Sequence, residues 1–155
     1  RKFFEKAIEA DDLVVVSPDV GGVVRAQSYA KRLMKEAELA IIHKERELPN
    51  KVTRMKLIGN VKNKIALIAD DMADTCGTLA TAAKLLEENG AREVYACTTH
   101  GILSGDANSI IDNSSIKKIF ITDTISTSLA SPPSAPTARQ PTAWKATPTA
   151  RRRCR

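Results

Sequence analysis

Short apolar runs alternate along this chain with longer segments whose apolar residues recur every three or four positions. Leu13–Ser17 is apolar and β-branched, as a buried strand is, and a turn over 18–22 follows it. Val23, Ala26, Ala30, Leu33, Met34 and Ala37 then share one face at helical spacing, which predicts a helix to about residue 37. Residues 39–43 read as a second strand. A charged loop holding Pro49 separates it from runs at 55–61 and 64–70, which read as two strands joined by a tight turn centred on Asn63. Leu79, Ala82, Ala83 and Leu86 predict a helix over 78–89, with Gly90 just past its end where a left-handed residue terminates helices. Residues 94–98 and 119–122 read as further buried strands, with a short helix over 106–113 between them.

Strands that are apolar throughout are buried on both faces, and strand–helix–strand repetition joins parallel strands. The pattern therefore predicts an α/β fold, a parallel sheet with helices on both faces, over residues 1–125. Beyond Ser126 the periodicity stops. Residues 126–155 hold five of the seven prolines and no glycine, and Ser, Thr, Ala and Pro dominate. Such a segment buries too little apolar surface to offset its ordering entropy, so it is expected to be a disordered tail. The abrupt change, and an opening on Arg1 rather than methionine, read as marks of a fragment with an unrelated C-terminal end.

Charge sharpens that division. The formal net charge is +6, yet six of the 24 basic residues and none of the 18 acidic ones lie from Ser126 onward. Residues 1–125 are thus formally neutral, which argues against the basic face a nucleic-acid binder needs. No apolar run reaches the roughly 20 residues that span a bilayer, and the N-terminus lacks a signal-peptide pattern. Cys76, Cys97 and Cys154 have no metal-ligand spacing, which fits a reducing, cytoplasmic setting.

The stretch "IALIADDMADTCGTLATAAKLLEENGA" (65–91) carries the chemistry. An apolar run ends on two adjacent aspartates, and a Thr/Gly loop then opens a helix. In α/β sheets ligands sit beyond the carboxyl ends of strands, where loops meet helix N-termini. Backbone N–H groups, two hydroxyls and a glycine at the positive end of a helix suit a phosphate. Carboxylates would repel that phosphate, so they must serve another part of the ligand. Vicinal sugar hydroxyls, which donate hydrogen bonds to carboxylates, are good candidates, and carboxylates can also hold Mg²⁺. A sugar phosphate fits the pair. Taken alone, D-x-T is more often a helix cap; the whole string D-D-x-x-D-T-x-G-T behind a buried strand is far more specific.

That string resembles the phosphoribosyl-binding signature of the type I phosphoribosyltransferase fold. Together with "VVVSPDVGGVVR" (14–25), "HKER" (43–46) and "THGILSG" (99–105), it closely resembles the ribose-phosphate pyrophosphokinase family, over about residues 11–125. The family moves the diphosphate of Mg-ATP onto the 1-hydroxyl of ribose 5-phosphate, giving phosphoribosyl diphosphate and AMP. The resemblance implies that Asp70, Asp74, Thr75, Cys76, Gly77 and Thr78 hold ribose 5-phosphate, with Asp71 beside them. It implies a diphosphate loop at Asp19, Gly21 and Gly22, with Asp19 linked to Mg²⁺, and catalytic cations at Lys44 and Arg46. In an extended segment residues two apart share a side, so both cations can face one target. His43 and His100 are expected to pack or hydrogen-bond at strand ends, and Cys76 to contribute backbone rather than a reactive thiol. Homo-oligomers are also implied.

The chain departs from the family in one respect. The family's ATP-binding domain and metal-binding histidine have no counterpart before Arg1, and its last strand and helix should follow Ile125. The expectation is a ribose-phosphate half-site without the nucleotide half, unable by itself to make phosphoribosyl diphosphate. Two other readings compete. A non-catalytic regulatory relative would show damage around Lys44 and Arg46. A salvage phosphoribosyltransferase would share the Asp/Thr string but not the other two motifs in this order.

Overall fold

The computed structural model describes residues 12–33, 37–45, 54–122 and 124–125. Six strands form one sheet: β1 (Leu13–Ser17), β2 (Glu38–Glu45), β3 (Arg54–Ile58), β4 (Ile65–Ala73), β5 (Glu93–Gly101) and β6 (Ile116–Ile121). Three helices connect them: α1 (Val23–Leu33), α2 (Gly77–Glu88) and α3 (Ala107–Asp112). The strand order is β3-β2-β1-β4-β5-β6. The chain therefore leaves β1 in one direction across the sheet and returns to β4 to build in the other, placing a switch of strand order between β1 and β4.

Every neighbouring pair is parallel except β2 and β3, which pair antiparallel from Ile41↔Ile58 to Glu45↔Arg54. The wholly parallel sheet expected from the sequence is thus corrected at one edge. Parallel neighbours need a crossover of a dozen or more residues, and only residues 46–53 separate β2 from β3. The turn at Asn63 exists, with φ 61° and Lys64 N donating to Val61 O. It does not make a hairpin, however. β3 and β4 lie on opposite sides of β2 and β1, and the connection carries buried Val61 beneath the sheet.

The period-two alternation inside the apolar strands sorts the core into two layers. Val14, Val16, Ala40, Ile42, Ala66 and Ile68 face α2 and α3, whose Leu79, Ala82, Ala83, Leu86, Ala107 and Ile111 are buried against them. Leu13, Val15, Ile65, Leu67 and Ala69 face α1 through Ala26 and Ala30. Parallel crossovers are right-handed, so helices following strands laid down in opposite directions fall on opposite faces. That is why one α1 residue set and two later helices divide the faces between them.

Element edges moved in instructive ways. The helix expected to reach residue 37 is described as far as Leu33; residues 34–36 lie outside the described residues, and Ala37 is coil leading into β2. The run 55–61 stops as a strand at Ile58, because Gly59 takes φ 115° with its bare α-carbon against Ala40. β6 starts at Ile116 and ends at Ile121 rather than spanning 119–122. The largest correction concerns β4 and β5. Asp70 and Asp71 do not end their strand: β4 continues to Ala73 and stays paired with β5 through Ala73↔Gly101. β1 is last paired with β4 at Val16↔Ile68, and β6 with β5 at Thr98↔Ile121. The two central strands thus outrun their neighbours as a two-stranded ribbon. The tail expected over 126–155 lies outside the described residues. No helix among the described residues is long and apolar enough to cross a membrane.

Candidate functional site

A cleft of about 250 Å³ opens at the carboxyl ends of the central strands, beside the switch of strand order. Three segments converge on it. The β1–α1 turn supplies Asp19, β2 supplies Lys44, and the end of β4 with the first turn of α2 supplies Asp70, Asp71, Asp74, Thr75, Cys76 and Thr78. Met72, Ala73 and Leu79 complete the lining. None of these three was expected in the site, because they read as ordinary apolar residues, Leu79 as part of a buried helix face. Gly21 and Gly22 in the β1–α1 turn and Gly77 at the start of α2 do not line the cleft, and Arg46 lies outside the described residues.

Lys44 sits within β2, opposite Met55 of β3, so its backbone is held in the extended form that the K-x-R spacing requires. Asp19 is fixed by its own turn. Its Oδ1 accepts from Gly22 N at 2.7 Å, while Ser17 Oγ donates to Asp19 O at 2.7 Å. Gly22 is bare for a reason inside the protein: a Cβ there would stand 2.7 Å from Ser17 Oγ. Its missing side chain lets strand and turn close on each other, and exposed Gly21 carries the open side of the loop.

The N-terminus of α2 is unusual. Cys76 occupies its cap position in the left-handed region, φ 63°, and no side chain caps the helix. Asp74 and Thr75 therefore do not play the capping role that an isolated D-x-T would suggest. Asp74 instead accepts a hydrogen bond from Ser104 Oγ in the loop after β5. The first N–H groups of α2 are left facing the cleft end, where helix geometry concentrates positive partial charge. The Cys76 thiol is buried and pushed up from its ordinary value by that burial and by Asp74, so it is a poor nucleophile.

Within the cleft, the aspartate pair is perturbed most. Burial pushes the Asp70 carboxyl up to about 6, and the adjacent Asp71 charge adds to this, while the Asp71 N–H and Arg25 oppose it. Asp71 is half exposed and moves the other way. Slight burial is outweighed by hydrogen bonding with Asp70, by Arg25 and by backbone N–H donors, which hold it below the usual carboxylate range. The pair thus behaves as two unequal carboxylates, with the proton favoured on Asp70. Arg25 bonds to both, Nη1 to Asp70 Oδ1 at 3.1 Å and Nη2 to Asp71 Oδ2 at 2.9 Å. It closes the motif "VVVSPDVGGVVR", yet its position on a helix gave no sign that it would reach β4. His100 does hydrogen-bond at a strand end, Nδ1 to Thr124 Oγ1 at 2.8 Å.

Comparison with known proteins follows the same outline. The phosphoribosyl synthetase-associated domain matches residues 46–134, more than half of the chain. The chain belongs to the phosphoribosyl synthetase family. Ribose-phosphate pyrophosphokinase 2 of Schizosaccharomyces pombe is 54% identical to it over 112 residues, covering 72% of this chain and 34% of that relative. The solved phosphoribosylpyrophosphate synthetase of Mycobacterium smegmatis superposes with a TM-score of 0.71 at 38% identity, covering 81% of this chain and 39% of the other. A purine phosphoribosyltransferase from Pyrococcus horikoshii shares the fold alone, with a TM-score of 0.53 at 16% identity. The synthetase family chain described here therefore spans about a third of the length of the curated relative it matches.

Proposed function

We propose that the cleft is the ribose-phosphate half of a ribose-phosphate pyrophosphokinase site, which takes the diphosphate of Mg-ATP onto the 1-hydroxyl of ribose 5-phosphate and yields phosphoribosyl diphosphate and AMP. One observation carries this reading: the uncapped α2 N-terminus and the Asp70–Asp71 pair open into one cleft with Lys44 and Asp19 across it. The 5-phosphate is placed on the N–H groups and hydroxyls from Asp74 to Thr78, and the sugar hydroxyls on Asp70, with Asp71 alongside.

Charge explains why other groups are needed. Four aspartates and one lysine line the cleft, a poor seat for a polyanion by itself. Helix N–H groups offset part of the deficit for the 5-phosphate. Lys44, with Arg46, is assigned to the transferring diphosphate, where reaction depends chiefly on positioning and charge neutralisation. Asp19 suits a Mg²⁺ ion that arrives with the diphosphate. Its Oδ2 meets no donor among the described residues, and no set of three or more His, Cys, Asp or Glu side chains converges there as a closed cage. A single carboxylate is what Mg²⁺ commonly takes when phosphates and water complete its shell. Bound there, the ion would offset charge on the diphosphate.

The reading places the nucleotide-binding half outside residues 1–155, the working domain within 1–125, and the protein in the cytoplasm as a homo-oligomer. The regulatory alternative is disfavoured by Lys44 standing intact in the cleft. A salvage phosphoribosyltransferase is disfavoured by the synthetase-type relatives. Calorimetric titration of ribose 5-phosphate into the chain with Mg²⁺, repeated with Thr78→Ala and Asp70→Asn, tests the assignment. Saturable binding that both substitutions weaken is expected. A folded chain that binds no ribose 5-phosphate would sink it.

A further inference from the structure

Neighbouring residues on a strand point to opposite faces. Asp70 follows Ala66 and Ile68 toward the α2 layer, and Asp71 follows Ile65, Leu67 and Ala69 toward α1. Nothing in the strand itself would aim both carboxylates at one target. Yet one guanidinium, from the first turn of α1, holds an oxygen of each. It can do so because β1 is last paired with β4 at Ile68, leaving a gap beside the aspartates through which Arg25 reaches the outer edge of β4.

The bonds at the pair can be followed oxygen by oxygen. Asp71 Oδ2 accepts from Arg25, and Asp71 Oδ1 accepts from Met72 N at 3.0 Å. Asp70 Oδ1 accepts from both Arg25 and Asp71 N, the latter at 2.8 Å. Asp70 Oδ2 alone accepts from no donor among the described residues. The arrangement engages three oxygens and leaves one, on a residue that lines the cleft.

We propose that Arg25 is a positioning residue for the sugar half of the site: its two-handed grip on Asp70 and Asp71 turns the remaining oxygen of Asp70 toward the cleft as the acceptor for a ribose hydroxyl. The inference rests on the sugar-phosphate reading above and names a residue which that reading left without a role. Arg25 does not touch the sugar in this account; it acts through Asp70. The planar fork matters, because its two N–H groups at fixed separation set where each carboxylate is held, which a single ammonium does not. The charge matters as well. Asp70 is faced by Asp71 on its own strand, by Arg25 from α1 and by Cys97 from β5, with Asp19 and Lys44 around the same cleft. Arg25 favours the ionised, accepting form of Asp70 against burial and the adjacent carboxylate.

Two readouts separate this role from simple support of the fold. Carbon-detected NMR titration of the Asp70 carboxyl, without ligand, follows its ionisation in the native chain, Arg25→Lys and Arg25→Gln. Calorimetry at pH 7.5 with Mg²⁺ follows ribose 5-phosphate binding in the same three proteins. In the native chain the Asp70 midpoint is expected near 6. Arg25→Gln should raise it by about one unit and weaken binding roughly tenfold, whereas Arg25→Lys should keep the midpoint and weaken binding only about threefold. An unmoved midpoint in Arg25→Gln, or unchanged binding, overturns the role of Arg25 while leaving the sugar-phosphate site standing. A native chain that is folded and does not bind overturns both. Should Arg25→Gln not fold, Arg25→Lys decides: full native affinity rules the grip out, and a partial loss at an unchanged midpoint upholds it.

Discussion

Ser104 Oγ donates a hydrogen bond to Asp74 Oδ1, tying the loop after β5 to the loop that opens α2. Ile102 N and Leu103 N reinforce the tie by donating to Ala73 O at 2.9 and 3.0 Å. The motif "THGILSG" thus has a physical task, as the backstop of the Thr/Gly loop. Ser104→Ala is expected to weaken ribose 5-phosphate binding by roughly threefold to tenfold, the worth of one hydrogen bond of about 0.5–1.5 kcal/mol. Both side chains are exposed, so thermal stability should hardly move. Unchanged affinity by calorimetry would show that the loop holds its shape without the serine.

Asp70 makes the folded state depend on pH in an unusual direction. Its carboxyl binds a proton more tightly when folded, near 6, than at its ordinary value of 3.8. Stability is therefore lost as pH rises from about 4 through 6, and is regained on acidification. Asp71, held low, contributes in the opposite sense and loses its contribution as pH falls. Asp70→Asn removes the first effect, together with the Asp70 hydrogen bond that helps hold Asp71 low. It is expected to stabilise the chain by about 1–2 kcal/mol at pH 7.5 and by almost nothing at pH 4. Urea unfolding at the two pH values checks this; an equal gain at both would refute the assignment of cause.

Cys76 holds a left-handed conformation that β-branched residues tolerate poorly. Cys76→Val keeps an apolar side chain of similar size but should cost about 2 kcal/mol or more in denaturant unfolding. For Cys76→Gly, relief of strain and loss of buried side chain nearly offset, so the change should stay within about 1 kcal/mol. Equal effects of valine and glycine would argue that backbone strain at this position is negligible.

At the far end of the ribbon, a Cβ on Gly101 would meet Ile121 Cγ2 at 2.5 Å and Cδ1 at 2.9 Å. Gly101→Ala is expected to destabilise by roughly 1–3 kcal/mol through overpacking. Ile121→Ala removes the opposing atoms, so the double variant should be more stable than the sum of the two single changes implies. Strict additivity in a double-mutant cycle would show that β6 simply shifts aside.

Much of this molecule was legible before its structure. Continuous apolar runs gave the buried strands, because a central parallel strand must be apolar on both faces, and helical spacing found α2 to within a residue. The Asp/Thr string located the cleft, since a strand end, a glycine and a helix start must lie together in such a sheet. What escaped was set by pairing partners distant in the chain. Nothing local in "ADDMA" says that the strand continues past its charges; the reason lies in β5, whose continuation to Gly101 supplies the ladder. Nothing local in Arg25 points to Asp70, some forty-five residues away. The antiparallel edge could have been argued from the eight residues between β2 and β3, which are too few for a crossover.

The ribbon of β4 and β5 sets how the site reports on itself. Two strands without further neighbours are marginal in water, so the amides of Asp71–Ala73 should open by local fraying and trade hydrogen for deuterium early. Those of Ala66–Ile68, gripped on both sides by β1 and β5, should wait for global unfolding. A ligand bridging the ribbon to the β1–α1 turn would slow the first set and leave the second untouched. The carboxylates proposed to meet the sugar thus stand on a built-in tension gauge, whose relaxed and loaded settings differ in exchange rate rather than in fold.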